Sequence, residues 1–410
     1  MQNALNFLRT HEKNIVEDFK ALIKARTENP PGDVSEGIDV IRRILDDYNI
    51  DYKIIEPTHG RKNIIAEIGD GPTLILNGHV DVVPAGNGWT HDPFSAEIEN
   101  GKIYGRGSTD MKSGLIAILY SFLAHRNEPP GRIILMIVPD EETGATYGTK
   151  YLLENKIISG DACLIAEPTG ELENRKYSIV AGERGVLWVK IKSHGKAKHG
   201  SLPMLGENAI KKMMKLIPNL PEIIPQRIDA PKDAIDLILN GKEILYRKHP
   251  KAGDALDHFT INIGTIKGGQ KVNMVPDYCE IEIDIRVPIG ASSNDAETIL
   301  RKITKEDYEL EIINRIEPSY TPPDHPLVKS IISSAEKVLG YPPKPIGMAA
   351  TSDARIFRFA GIPTINFGPG YLEIAHARDE FVYLEDVLYF TKVYAIFIYE
   401  FLHKLKENEK

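Results

Sequence analysis

The sequence predicts an α/β protein with a mixed, mainly parallel sheet flanked by helices, into which a split βαβ domain is inserted. Strand-length apolar runs alternate with helical periodicity over residues 1–176 and again from Ser319. Between them the pattern changes to long alternating strands around two amphipathic helices. Residues 1–176 and 319–410 are therefore expected to form one discontinuous domain, with 177–318 inserted in it.

The first stretch has apolar residues at helical spacing over 3–26: Leu5, Leu8, Ile15, Phe19, Leu22 and Ile23. Asn29-Pro30-Pro31-Gly32 stops it. A second helix is expected at Ser35–Tyr48. Strands follow at Asn63–Ile68 and Thr73–Asn77, a helix at Ser113–His125, a strand at Ile133–Val138, a helix at Tyr147–Asn155 and a strand at Ala162–Ala166. In the insert, Ser178–Ser193 alternates as one long strand. Helix Glu207–Ile217, strands Phe259–Ile266 and Tyr278–Val287, helix Ser293–Thr304 and strand Tyr308–Ile313 complete a ferredoxin-like β-α-β-β-α-β order. Residues 219–257 fall outside that plan and are expected to be an insertion or an arm. Helices at Leu327–Leu339 and Thr351–Ala360, a strand at Thr364–Phe367 and a final helix from Leu384 close the chain.

Composition narrows the function. The 410 residues are 42% hydrophobic and 26% charged, with net charge −8. That suits two ordinary domains, and without a basic stripe it argues against nucleic-acid binding. The two cysteines, Cys163 and Cys279, lie in apolar runs and read as core thiols. No signal-peptide core or membrane-length apolar run occurs, so a cytoplasmic location is expected.

The most informative feature is Glu141-Glu142, which closes the apolar run from Arg132. Adjacent like charges repel, so something positive is expected there, and a metal ion is the simplest candidate. His79, Asp110, Glu142, Glu167 and His376 stand in similar contexts, four of them after a strand. In open α/β sheets, sites form beyond the carboxyl ends of the strands. Two histidines and three carboxylates suit two divalent metals, zinc foremost, with one carboxylate bridging and open positions for water. Asp81, two residues beyond His79, is placed to accept the second imidazole N–H. Glu141 is left to act as general base. Taken singly, each has a plainer reading: Asp110 as a helix N-cap, Glu167-Pro168 as a turn, His79 as a hydrogen-bonded loop residue. The weight lies in the set.

The surrounding residues are more specific. His79-Val80-Asp81-Val82-Val83-Pro84, Tyr104-Gly105-Arg106-Gly107-Ser108-Thr109-Asp110-Met111-Lys112, Asp140-Glu141-Glu142-Thr143-Gly144, Glu167-Pro168 and Ala375-His376-Ala377-Arg378-Asp379-Glu380 resemble the co-catalytic zinc amidohydrolases and peptidases. That family includes acetylornithine deacetylase, succinyl-diaminopimelate desuccinylase, aminoacylase and glutamate carboxypeptidase. The resemblance implies a zinc-peptidase-like catalytic domain. His79, Asp110 and Glu167 would hold one metal, and Asp110, Glu142 and His376 the other. Cobalt could replace zinc. The insert would be a lid that mediates homodimerisation. Gly182-Glu183-Arg184-Gly185 and His199-Gly200-Ser201-Leu202-Pro203 match the lid, where His199 would stabilise the oxyanion. Asn273, Arg286 and Thr351 fall at substrate-contacting positions, and a guanidinium fork suits a carboxylate. Ser113 departs from the glycine common at its position, and 219–257 lengthens the lid.

The activity so implied is cleavage of the amide of an N-acyl amino acid, best matched by a succinyl-diaminopimelate desuccinylase or acetylornithine deacetylase. A metallo-dipeptidase or carboxypeptidase with the same metals is the alternative. A non-catalytic binding protein on this fold would be expected to have lost ligands or Glu141, and all are present.

Overall fold

The computed structural model describes residues 1–408. Backbone contacts divide the chain into two compact units. The first comprises Met1–Ala181, Thr321–Pro345 and Ser352–Lys410; the second comprises Gly182–Tyr320 and Ile346–Thr351.

The first unit is built on a twisted mixed sheet. Its strands lie in the order Tyr52–Ile55, Asn63–Ile68, Arg132–Val138, Thr73–His79, Ala162–Glu171 and Thr364–Tyr371, with the start of Ile179–Glu183 beyond them. The four from Arg132–Val138 to Thr364–Tyr371 are parallel, so their carboxyl ends share one edge. Their side chains are almost all buried, as near-continuous Ile/Leu/Val runs require when helices cover both faces. Helix Lys112–Ala124 is apolar all round and buried from Lys112 to Leu123, so it is a core helix rather than a surface one.

Several boundaries differ from the sequence reading: the Thr364–Phe367 strand runs on to Tyr371, the Thr351–Ala360 helix begins at Ala354, and three further differences have a visible cause. The helix expected over 3–26 is two, Gln2–Thr10 and Glu12–Lys24. Between them the His11 ring lies against the chain, with Nδ1 2.8 Å from the Phe7 carbonyl oxygen, so a side chain takes a helix-terminal acceptor with no Gly or Pro to announce the break. The Ala162 strand runs on through Pro168 to Glu171. Proline is tolerated there because the pairing with Thr364–Tyr371 shifts register at that point. Glu167 therefore lies within a strand rather than at its end. The long strand over 178–193 is two, Ile179–Glu183 and Gly185–His194, because the chain changes sheets at Arg184.

In the second unit, five antiparallel strands lie in the order Ile223–Arg227, His258–Gly268, Tyr278–Val287, Gly185–His194, Glu309–Ile316. Without the first, these form the ferredoxin-like arrangement. Ala209–Leu216 and Ser293–Thr304 bury Met213, Leu216, Ala296 and Leu300 against Leu187, Val189, Ile191, Ile281 and Ile283. The alternate residues face outward and are laced by ion pairs such as Lys192–Glu311 at 2.8 Å. Of the two readings of residues 219–257, insertion and arm, the structure matches the insertion: they supply the edge strand and a helix, Ile235–Lys248, that buries Leu237, Ile238 and Gly241. The short Ile223–Arg227 run carries a proline and breaks register, so periodicity alone did not reveal it.

Both cysteines are buried and free. Among the described residues no helix is long and apolar enough to cross a membrane.

One glycine sets how closely the core helix meets the sheet. A Cβ on Gly114 would lie 1.9 Å from the Ala166 carbonyl oxygen, one residue before Glu167. Alanine is the better helix former by about 1 kcal/mol, yet Gly114→Ala is expected to lower unfolding stability by about 1–3 kcal/mol through overpacking. Denaturant unfolding checks this, and stabilisation would contradict the close contact.

Candidate metal centre

The five candidate ligands converge on the carboxyl edge of the parallel strands. His79 ends its strand, and its ring is 1% exposed. Glu142 sits in a single tight turn, Glu141–Thr143, directly after the Arg132–Val138 strand. The turn closes on Gly144 at φ +99°, a conformation that favours glycine. His376 follows the Thr364–Tyr371 strand at φ +63°. Asp110 precedes helix Lys112–Ala124, whose N-cap is Met111 without a side-chain bond, so Asp110 is not an N-cap.

Asp110 stands between the two histidines. His79 Nε2 is 3.2 Å from Asp110 Oδ1, and His376 Nε2 is 3.3 Å from Asp110 Oδ2. Glu167 lies 3.6 Å from His79 Nε2, and Glu142 lies 3.2 Å from His376 Nε2. Two three-residue groups thus share one carboxylate, each oxygen facing a different imidazole. A tetrahedron with bonds of about 2.1 Å has edges of about 3.4 Å, so these spacings are those of ligands around two divalent ions. The donor set, two imidazoles and three carboxylates, fits such a pair.

Electrostatics point the same way. Burial acts against a charged His79, but Glu167, Asp110 and Asp81 outweigh it and raise its pKa well above the ordinary value. Hydrogen bonds to Asp110 and Glu142 push His376 up to about 10. Burial opposes charge on Asp110, yet the bonds to His376 and His79 hold it below the usual carboxylate range. Glu141 and Glu167 are raised well above that range, by burial first and then, for Glu141, by the charge of Glu167 and, for Glu167, by that of Asp110. The group gathers protons because it lacks enough positive charge of its own.

Asp81 is fully buried, and its role differs in detail from the sequence reading. His79 Nδ1 is 2.8 Å from the Asp81 main-chain oxygen and 3.5 Å from its carboxylate. The carboxylate instead accepts the Glu141 backbone N–H at 3.2 Å and an Asn29 amide N–H at 2.8 Å. Asp81 therefore joins the His79 strand end to the turn that carries Glu141.

A second support went unread in the sequence although its motif was noted. Glu380 is fully buried and accepts four hydrogen bonds: from Arg106 Nη1 and from the backbone N–H groups of Gly107, Thr109 and Asp110. Arg106 also donates to the His376 and Ala377 carbonyl oxygens, each at 3.1 Å. One buried ion pair thus clamps the loops of Asp110 and His376 together. Only contacts across some 270 residues of chain reveal it.

The other candidates lie in the second unit. His199 is exposed, with Nδ1 2.7 Å from Ser201 Oγ. Asn273 is exposed beside it, its carbonyl oxygen accepting the Gly200 N–H. Arg286 pairs at 3.0 Å with Asp284 on its own strand. Thr351 is half-buried at the end of the short 346–351 segment. Arg184, quoted only as part of a motif, is 3% exposed; it bonds three oxygens through Nη2, has no carboxylate partner among the described residues, and its Nε is unpartnered.

Fold and site together define a metal-dependent amidohydrolase. The model of peptidase family M20/M25/M40 matches residues 75–400, and the chain belongs to that family. It is 31% identical over 391 residues to a succinyl-diaminopimelate desuccinylase of Sulfurovum, covering 94% of this chain and 97% of the relative. It is 32% identical over 357 residues to the corresponding protein of Wolinella succinogenes, covering 85% and 90%. Among solved structures, an M20 family metallo-carboxypeptidase from Sulfolobus solfataricus superposes with a TM-score of 0.75 at 23% identity, over 95% of this chain and 98% of that one. A dinuclear metal-binding M20 peptidase from Bacillus subtilis gives 0.64 at 16% identity, over 96% and 99%. These two show the shared fold.

Metal must displace the protons this cluster gathers. Because His376 is pushed up to about 10 and His79 and Glu167 are raised as well, apparent metal affinity is expected to rise with pH up to about pH 10, by about tenfold per pH unit for each proton displaced. Calorimetric titrations in buffers of different ionisation enthalpy read the released protons directly; pH-independent affinity without proton release would contradict this electrostatic picture. Removing one partner of a buried ion pair leaves an uncompensated charge, so Arg106→Ala is expected to cost about 3–5 kcal/mol of stability. Denaturant unfolding measures it, and a loss under about 1 kcal/mol would show that the clamp carries little.

Proposed function

We propose that this protein removes the acyl group from an N-acyl amino acid, with N-succinyl-diaminopimelate the first candidate and acetylated ornithine- or lysine-like amino acids next. The observation that carries this reading is the sharing of Asp110 between His79 and His376, with Glu141 beside them on a turn held by Asp81. Near-full-length similarity to succinyl-diaminopimelate desuccinylases supports the choice of substrate.

His79, Asp110 and Glu167 would hold one zinc ion, and Asp110, Glu142 and His376 the other, with cobalt able to substitute. Bound there, the ions supply water activation and polarisation of the scissile carbonyl. Glu141 takes the proton from the attacking water and passes it to the leaving amine. Glu141 stands next to Glu142 on one turn and has an oxygen within 4.8 Å of ligand atoms of His79 and Glu167, so it borders the centre; in this reading it serves as base rather than as a ligand. Asp81 fixes both the His79 side and the Glu141 side of this geometry. In the second unit, His199 is proposed to donate to the developing oxyanion, and Arg286, Asn273 and Thr351 to hold the substrate carboxylates. That unit is also proposed to mediate a homodimer. These last assignments rest on family resemblance and side-chain chemistry.

A Glu141→Gln variant separates binding from chemistry. It is expected to keep both metals, measured by elemental analysis, and to lose hydrolysis by about 10²–10⁴-fold; unchanged activity would remove Glu141 from the role. The substrate class is tested by comparing N-succinyl-diaminopimelate, N-acetylornithine, N-acetyllysine and dipeptides with added zinc or cobalt. Cleavage of the succinyl compound first is expected, whereas hydrolysis of peptides alone would make the protein a peptidase.

A further inference from the structure

The Asn29-Pro30-Pro31-Gly32 segment reads in the sequence as a helix stop, and Asn29 is 2% exposed. Its backbone N–H donates to the Val82 carbonyl oxygen at 2.8 Å, and the Val82 N–H donates to Thr27 at 3.0 Å. The segment thus lies alongside the stretch that follows His79.

The side chain makes three contacts. Nδ2 donates to Asp81 Oδ2 at 2.8 Å and to Thr143 Oγ1 at 2.9 Å. Oδ1 accepts from Arg61 Nη2 at 3.0 Å, and the same nitrogen reaches the Pro31 carbonyl oxygen at 3.1 Å. Arg61 can only donate, so it fixes which end of the amide is oxygen, and both N–H groups must face Asp81 and Thr143. Asp81, fully buried, has one carboxylate oxygen on Asn29 and the other on the Glu141 backbone N–H. Thr143 is the last residue of the Glu141–Thr143 turn. Asn29 therefore grips that turn at both ends: at its first residue through Asp81, at its last directly.

We propose that Asn29 is a positioning residue for the hydrolysis, setting where the Glu141 carboxylate stands by tying Asp81 and Thr143 into one rigid unit. This rests on Glu141 being the base. No other described side chain donates to both Asp81 and the turn. Asn29 touches none of the five candidate ligands, so its loss should disturb the base before it disturbs the metals.

Asn29→Ala is expected to lower kcat about tenfold or more with KM changed less than about threefold and both metals retained, in line with the loss of an outer-shell partner. The exposed Thr143 supplies variants that leave the core intact. Thr143→Ala should lose part of the same activity, Thr143→Ser should restore it, and the double variant should be no worse than Asn29→Ala alone, because both cut one linkage. A kcat within about twofold of the parent, or losses that multiply in the double variant, would overturn the proposal. So would a loss that disappears at saturating metal, which would leave Asn29 a determinant of metal retention only. Glu141→Gln is measured alongside: if it stays active, the base assignment itself has failed; if it is inactive while Asn29→Ala stays within about twofold of the parent, only the role of Asn29 has.

Discussion

Everything at the carboxyl edge of the parallel sheet follows from the need to offset concentrated negative charge. Asp110, Glu142 and Glu167 meet there with Glu141 beside them, and the groups of positive character facing them are the imidazoles of His79 and His376. The imidazoles bind protons tightly and two of the carboxyls resist ionisation, which is how a low-dielectric site responds to missing positive charge. Two divalent ions would carry four positive charges against the three of the ligand carboxylates. An ionised Glu141 beside them would balance the surplus of one. The same ions that activate water would thus also keep the base in its working form.

Such a site works only if like charges are held together against their repulsion, and the backbone does the holding. The parallel strands deliver His79 and the Glu141–Thr143 turn to one edge, because side-by-side strands end on the same side. Glu380 and Arg106 join the Asp110 loop to the His376 loop. Asp81 and Asn29 join the His79 end to the Glu141–Thr143 turn. Each tie uses a buried, hydrogen-bonded polar group, the arrangement that is costly to break and therefore specific in geometry. Gly114 allows the helix behind Asp110 to rest directly on the strand that carries Glu167.

Much of this was legible in the chain. Apolar runs of strand length followed by acids or histidine announce both the sheet and the residues at its edge, and grouping four such residues with Asp110, which precedes a helix, brings together the residues that meet in space. The insert's alternating strands were equally plain, since one polar and one apolar face leave a period of two. What the sequence hid depends on contacts between distant segments. The four bonds of Glu380 and the triple contact of Asn29 have no local signature, and neither does the choice of the Asp81 carbonyl over its carboxylate as the partner of His79 Nδ1. The Ile223–Arg227 strand was missed because five residues with a proline carry too little periodicity to stand out. The continuation of the Ala162 strand through Pro168 was missed for a related reason: only a register shift in its neighbour makes room for a residue that strands normally exclude.

The central claim is that one carboxylate, Asp110, is shared by two divalent ions, each facing one histidine. Anomalous X-ray diffraction from crystals grown with zinc, collected on both sides of the zinc edge, tests it most directly. Two peaks are predicted, about 3.5–4 Å apart, on opposite oxygens of Asp110, one beside His79 and Glu167 and the other beside His376 and Glu142. A single peak, or two that leave Asp110 uncoordinated, would contradict the account.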